Sequence, residues 1–218
     1  MLYTPFLKAL EFFYNTIAFH DLGFSIIALT LAIRFLMLPV FYRSARNQAV
    51  MQRLQPHIEK IQKDHKDNKE NQTKAMLELY KTHDVNPLSI FFVIIIQLVV
   101  FVALYKVFST GINSIPDKTF LKMIDLTKVN YAIAALALAA QYFQGYVALP
   151  KTEPGKELSS SERMAKNMVY IGPLIMITFL FRYPAAIGLY WLVNGIFGIL
   201  QQVYINKSIK NVQLNPQQ

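Results

Sequence analysis

Cysteine is absent from the 218 residues, so disulfides, thiolate metal sites and cysteine nucleophiles are excluded together. Charge is scarce as well. Charged residues make up 16% of the chain, where a soluble domain carries about 25%, and 54% is hydrophobic. Carboxylates are the scarcer sign, 13 Asp and Glu against 22 Lys and Arg, and none falls in the long apolar runs. A proton- or cation-coupled transporter generally needs an intramembrane carboxylate, so that class loses its usual relay. The four histidines, His20, His57, His65 and His83, lie outside those runs without the close spacing of metal ligands, and no metal site is expected. Neither the P-loop nor the dinucleotide glycine fingerprint occurs, and no nucleophile–base spacing can be read. The chain is expected to be no enzyme and to hold no cofactor.

What is present is apolar sequence in blocks. Five runs are long enough to span a bilayer: 22–42, 88–108, 129–149, 166–182 and 184–205. The last two are separated by Arg182-Tyr183-Pro184, where proline disfavours a continuous helix and suits a tight hairpin at one membrane face. Pro39 and Pro173 should kink their helices or end the hydrogen bonding locally. The net charge of +9 is spread over the loops between the runs, a pattern of membrane topology rather than of a nucleic-acid face. Segment 43–87 carries nine Lys and Arg, 150–166 four and the tail two, against six on the other side. That bias puts the N-terminus outside and the C-terminus in the cytoplasm, and an odd number of spans agrees with termini on opposite sides. The N-terminus has neither a cleavable signal nor a transit peptide, which makes a bacterial plasma membrane the expected location.

The connecting segments carry structure too. In residues 1–20, Leu2, Phe6, Leu10, Phe13 and Ile17 fall on one helical face, as in an amphipathic helix lying in the outer interface. In 43–87, Met51, Leu54, Ile58 and Ile61 recur at helical spacing, and Met76, Leu79, Tyr80 and His83 repeat the pattern after the polar turn 67–71. Two amphipathic helices joined in this way form a cytoplasmic helical hairpin. Its basic face offers cytosolic partners or anionic headgroups a surface. Segments 109–128 (outer), 150–165 (cytoplasmic) and 206–218 (the cytoplasmic tail) read as loops.

Arg34 is the anomaly, a cation in the middle of the first run. The charged end at Arg43 is nine residues away, roughly 13 Å at the helical rise, beyond the reach of one snorkelling side chain. An intramembrane charge costs at least about 2.5 kcal/mol and marks a functional site by default. With no carboxylate in the runs, a water-filled concavity is the simplest way to keep it charged. Gln97, mid-run, could line the same cavity, and Thr30 and Asn194 are further polar candidates. For the amides, the bland reading is interhelical hydrogen bonding. Tyr183, Tyr190 and Trp191 suit an interfacial aromatic belt.

Four segments together resemble the YidC/Oxa/Alb membrane protein insertases. They are IRFLMLPVFYRSARNQAVMQRLQPHIEKIQKDHKD, MLELYKTHDVNPLS, IIQLVVFVALYKVF and GLYWLVNGIFGILQQVYI. The resemblance runs from about Gly23 to Ile205. It implies an all-α polytopic membrane protein, with five transmembrane helices around a hydrophilic groove that is open to cytoplasm and lipid and closed outside. Arg34 matches the groove arginine, and Gln97 and Trp191 match groove-facing positions. Residues 43–86 match the flexible cytoplasmic hairpin, here with Arg43, Arg46, Arg53, Gln55 and Pro56, and residues 1–20 the peripheral outer helix. Two features depart from the pattern: Ser89-Ile90-Phe91-Phe92 replaces a small-residue and proline pattern, and the large extracytoplasmic domain of Gram-negative members is absent. The chain is thus either a minimal bacterial form or a trimmed one. The implied function is insertion and folding of membrane proteins, with nascent substrates and the lipid bilayer as partners and translocase and ribosome left open. The competing readings are a small-anion transporter using Arg34 and a folding chaperone acting only beside a translocase.

Overall fold

The computed structural model describes residues 3–149 and 160–209. Helices dominate: α1 Thr4–Thr16, α2 Leu22–Asp64, α3 Lys69–Thr82, α4 Ser89–Thr110, α5 Tyr131–Ala148, α6 Ser160–Leu180 and α7 Ala185–Ile209. A two-stranded antiparallel hairpin, β1 Thr119–Phe120 and β2 Ile124–Asp125, interrupts the segment that reads as a loop in the sequence. Among the described residues, three helices are long and apolar enough to cross a membrane: Leu22–Asp64, Phe91–Thr110 and Ala185–Lys207. A shorter apolar helix covers Lys166–Leu180. Large side chains such as Ile95, Leu98, Leu174 and Ile175 stand exposed along α4 and α6, as lipid-facing residues do.

α2 differs from the sequence expectation. Pro39 does not end the first helix: the helix continues through Pro39 and Pro56 to Asp64, so the first apolar run and the first arm of the hairpin are one element. Proline withholds one backbone N–H at each place, and the remaining hydrogen-bond ladder carries the helix past it. Two compact units divide the chain, residues 1–37 with 97–203 and residues 38–96 with 204–218, so both α2 and α4 pass from one to the other.

In the first unit, α5 packs on α6 through Ala134, Ala137, Met176 and Leu180, with Leu138, Trp191 and Leu192 against them. Small residues allow the closeness: a Cβ added at Gly195 of α7 would sit 3.0 Å from the Cβ of Ala140. The segment between α4 and α5 is tied down at three points. Asp21 caps α2 by accepting from the Phe24 N–H at 3.0 Å, and its second oxygen accepts from the Leu121 N–H at 2.7 Å. The first turn of α7 donates its Ala185 and Ala186 N–H groups to the carbonyls of Lys128 and Leu126, which satisfies donors that a helix start leaves open. The third tie is α1, where Tyr14 accepts from the Asp117 N–H and Glu11 from the Ser114 hydroxyl. Its buried positions are Leu10 and Tyr14, whereas Ile17, placed on the apolar face by spacing, is exposed, and Leu2 lies outside the described residues.

In the second unit, Val50, Leu54 and Ile58 of α2 form a small core with Val85, and Met51, Met76, Leu79 and Tyr80 pack against it. Asn68 caps α3, accepting from the Asn71 N–H at 3.0 Å. Burial pushes the Tyr80 hydroxyl pKa up. Residues 150–159 of the expected cytoplasmic loop and 210–218 of the tail lie outside the described residues.

Candidate functional site

α7 organises the site. Tyr190, Asn194 and Phe197 recur at intervals of four and three, which puts a phenol, an amide and a ring on one stripe of the helix. Arg34 of α2 meets two of them. Its Nε donates to Asn194 Oδ1 at 2.6 Å, Nη2 donates to the Asn194 carbonyl at 3.0 Å, and the guanidinium carbon lies 5.7 Å from the centroid of the Phe197 ring. Phe35, next in sequence, meets the same ring edge-on. Arg34 is only 5% exposed, so protein atoms cover most of its head.

One turn away, Gln97 of α4 donates to the Tyr190 hydroxyl at 2.9 Å. Tyr190 is 3% exposed, which removes it from the interfacial belt and places it inside this polar layer. Arg34–Asn194 and Gln97–Tyr190 therefore stand as two successive rungs along α7. An amide orients a guanidinium but carries no charge, so Asn194 positions Arg34 without neutralising it.

The other expected residues lie differently. The buried Thr30 hydroxyl donates to the Ile26 carbonyl of its own helix at 2.6 Å, the usual resolution for a threonine in an apolar helix. Trp191 stacks on Phe101 with centroids 5.5 Å apart and packs on α5 and α6, which makes it part of the helix packing. Arg43, Arg46 and Pro56 are exposed along α2, whereas Arg53 and Gln55 are half-buried. Among the described residues, no group of His, Cys, Asp and Glu could hold a metal ion. Tyr190 is the functional candidate that the sequence reading missed. The 190/194/197 spacing was the available signal, but the tyrosine's proximity to the helix end favoured an interfacial role.

The model of the 60Kd inner membrane protein family matches residues 12–212. The chain belongs to this family. Similar relatives include the membrane protein insertase YidC of Magnetococcus marinus, 34% identical over 95% of this chain and 36% of that protein. The membrane protein insertase YidC of Geobacter metallireducens is 32% identical over 96% of this chain and 37% of its own length. The chain thus spans little more than a third of the relatives that it matches. In fold it is similar to a crystal structure described as an active YidC insertase with the first transmembrane domain resolved. The TM-score there is 0.66, with 22% identity, over 93% of this chain and 45% of that one. Membership of the 60Kd family makes a polytopic, helical membrane protein of this chain, in agreement with its apolar helices.

Proposed function

We propose that this chain is a membrane protein insertase and folding chaperone of the bacterial plasma membrane. Five spans, formed by the α2 segment 22–42 and by α4, α5, α6 and α7, carry the N-terminus outside and the C-terminus in the cytoplasm. The observation that carries the reading is a mid-span arginine held by an uncharged partner, Asn194. A substrate's acidic segment, entering from the cytoplasm, competes with Asn194 for the guanidinium, while the substrate's apolar helix leaves along the lipid-facing side. A hydrated path shortens the dry distance that the polar segment crosses, which lowers the barrier without covalent chemistry. A potential negative inside drives each acidic charge outward by about 2.3 kcal/mol per 100 mV. Gln97 and Tyr190 offer polar contacts one turn along the same stripe. The partners are nascent membrane proteins and the bilayer, with translocase and ribosome as further candidates acting through the basic hairpin.

The test is reconstitution of the purified chain alone in liposomes, with protease protection of a small substrate that has an acidic translocated tail. Insertion without any other protein separates an insertase from a chaperone that works only beside a translocase. Arg34→Ala is expected to impair insertion and Arg34→Lys largely to preserve it. Equal insertion by all three forms removes the electrostatic role. Uptake of small anions without insertion turns the reading into a transporter.

A further inference from the structure

The second unit contains a cavity of about 870 Å³ that the Arg34 site does not use. It lies between α2, the end of α3 and the start of α4, and its wall has two chemistries. Arg43, Arg46 and Lys81 contribute three cations against one carboxylate, Asp84. Val40 and Phe92 contribute apolar surface to the lining. Ser89 also lines it; its hydroxyl oxygen is shut off from solvent and, among the described residues, meets no hydrogen-bond partner.

Position in the chain sets the depth of this cavity. Arg43 immediately follows the apolar run 22–42, and Ser89 opens the apolar helix α4. Both elements therefore change from polar to apolar at the level of the cavity, where a bilayer has its headgroups.

We propose that this cavity binds the headgroup of an anionic phospholipid of the phosphatidylglycerol type from the cytoplasmic leaflet. The phosphate is held by Arg43, Arg46 and Lys81, whose forked and point-like donors suit its oxygens. Asp84 accepts from the glycerol hydroxyls, which a phosphate ion lacks. The glycerol ester region lies on Val40 and Phe92 and continues onto the exposed Phe91, a surface of no use to a free anion. A bound lipid at the root of the hairpin anchors the start of α4 to the membrane surface. The proposal requires that α2 and α4 enter the bilayer and is independent of insertase action.

The test extracts the full-length chain from vesicles of equimolar phosphatidylglycerol and phosphatidylcholine and counts retained lipids by mass spectrometry. The expected result is retention of phosphatidylglycerol over phosphatidylcholine by about tenfold or more, given the strength of basic clusters at anionic surfaces. Arg43→Gln, Arg46→Gln and Lys81→Gln together should abolish that preference. Lys60→Gln, Lys63→Gln and Lys69→Gln, with the same change of charge on exposed positions away from the cavity, should keep it. Lys81→Gln alone, which removes one of the three lining cations, should weaken it severalfold and serves if the triple variant does not fold. Equal loss in both triple variants would mean diffuse surface charge and overturn the site. Displacement by the same concentration of inorganic phosphate would make it a free-anion site, and displacement by an acidic peptide a protein-binding one; either result refutes the lipid assignment.

Discussion

Replacing Asn194 with Asp puts the electrostatic reading of Arg34 at greatest risk. The new carboxylate oxygen would take the place of Asn194 Oδ1, which now accepts from Arg34 Nε at 2.6 Å. Opposite charges about 4 Å apart attract by roughly 4 kcal/mol at an effective dielectric constant near 20. Desolvation of the carboxylate offsets much of this within the resting protein, so the change in stability should be small. A substrate carboxylate, however, loses nearly all of that attraction, because the charge it would meet is already neutralised. At about 1.4 kcal/mol per decade, insertion of an acidic-tailed substrate should slow by on the order of a hundredfold to a thousandfold. The assay is protease protection in liposomes, run with two substrates: one with an acidic tail and one whose Asp and Glu are replaced by the amides. The unaltered chain should prefer the acidic tail, and Asn194→Asp should treat the two alike, with an unchanged helical circular-dichroism signal as the folding control. If Asn194→Asp inserts the acidic-tailed substrate at the normal rate, a fixed charge at Arg34 is not what draws the substrate.

Asp21→Ala removes both the cap of α2 and the acceptor for Leu121, and should cost about 2–3 kcal/mol, read as faster hydrogen exchange across β1 and β2. Asp21→Asn should keep most of the protection. Gly195→Ala forces a Cβ to 3.0 Å from that of Ala140, whose backbone cannot yield, and should destabilise the α5–α7 contact by about 1–3 kcal/mol in thermal unfolding. Hydrogen bonds from Lys122 and Thr119 hold the Asp117 carboxyl down at about 2, against an ordinary value of 3.8. A depressed carboxylate contributes stability that is complete above the ordinary value and lost as pH falls through the folded one. Exchange protection of the 117–122 turn should therefore be constant from pH 7 to 5 and collapse between about pH 4 and 2, and Asp117→Asn should flatten that profile.

Features set by nearby residues were legible in the sequence, and those set by distant ones were not. α4, α5 and α7 start and stop within a few residues of the apolar runs, because composition and helical period are local properties. The hairpin core was legible for the same reason: Leu54, Ile58, Met76 and Leu79 meet as their spacing implies, although Val50 and Val85 join them from outside that pattern. The sheet hairpin was not legible. Its turn places Leu121 and Lys122 at positive φ, a conformation that leucine and lysine do not advertise, and Asp21, 100 residues away, holds it in place.

By itself, the sequence determined that the chain is a helical membrane protein with a cation deep in its first apolar run and a basic hairpin beside it. These follow from local composition, since a run of apolar residues has few other places to go than lipid. Only the tertiary structure decided what surrounds that cation. Asn194 lies 160 residues from Arg34, and Tyr190 lies 93 from Gln97, and such pairs exist only where α2, α4 and α7 bring them together. The structure likewise decided that α2 runs on through Pro39, against the local preference of proline, because the rest of the helix outweighs one missing hydrogen bond.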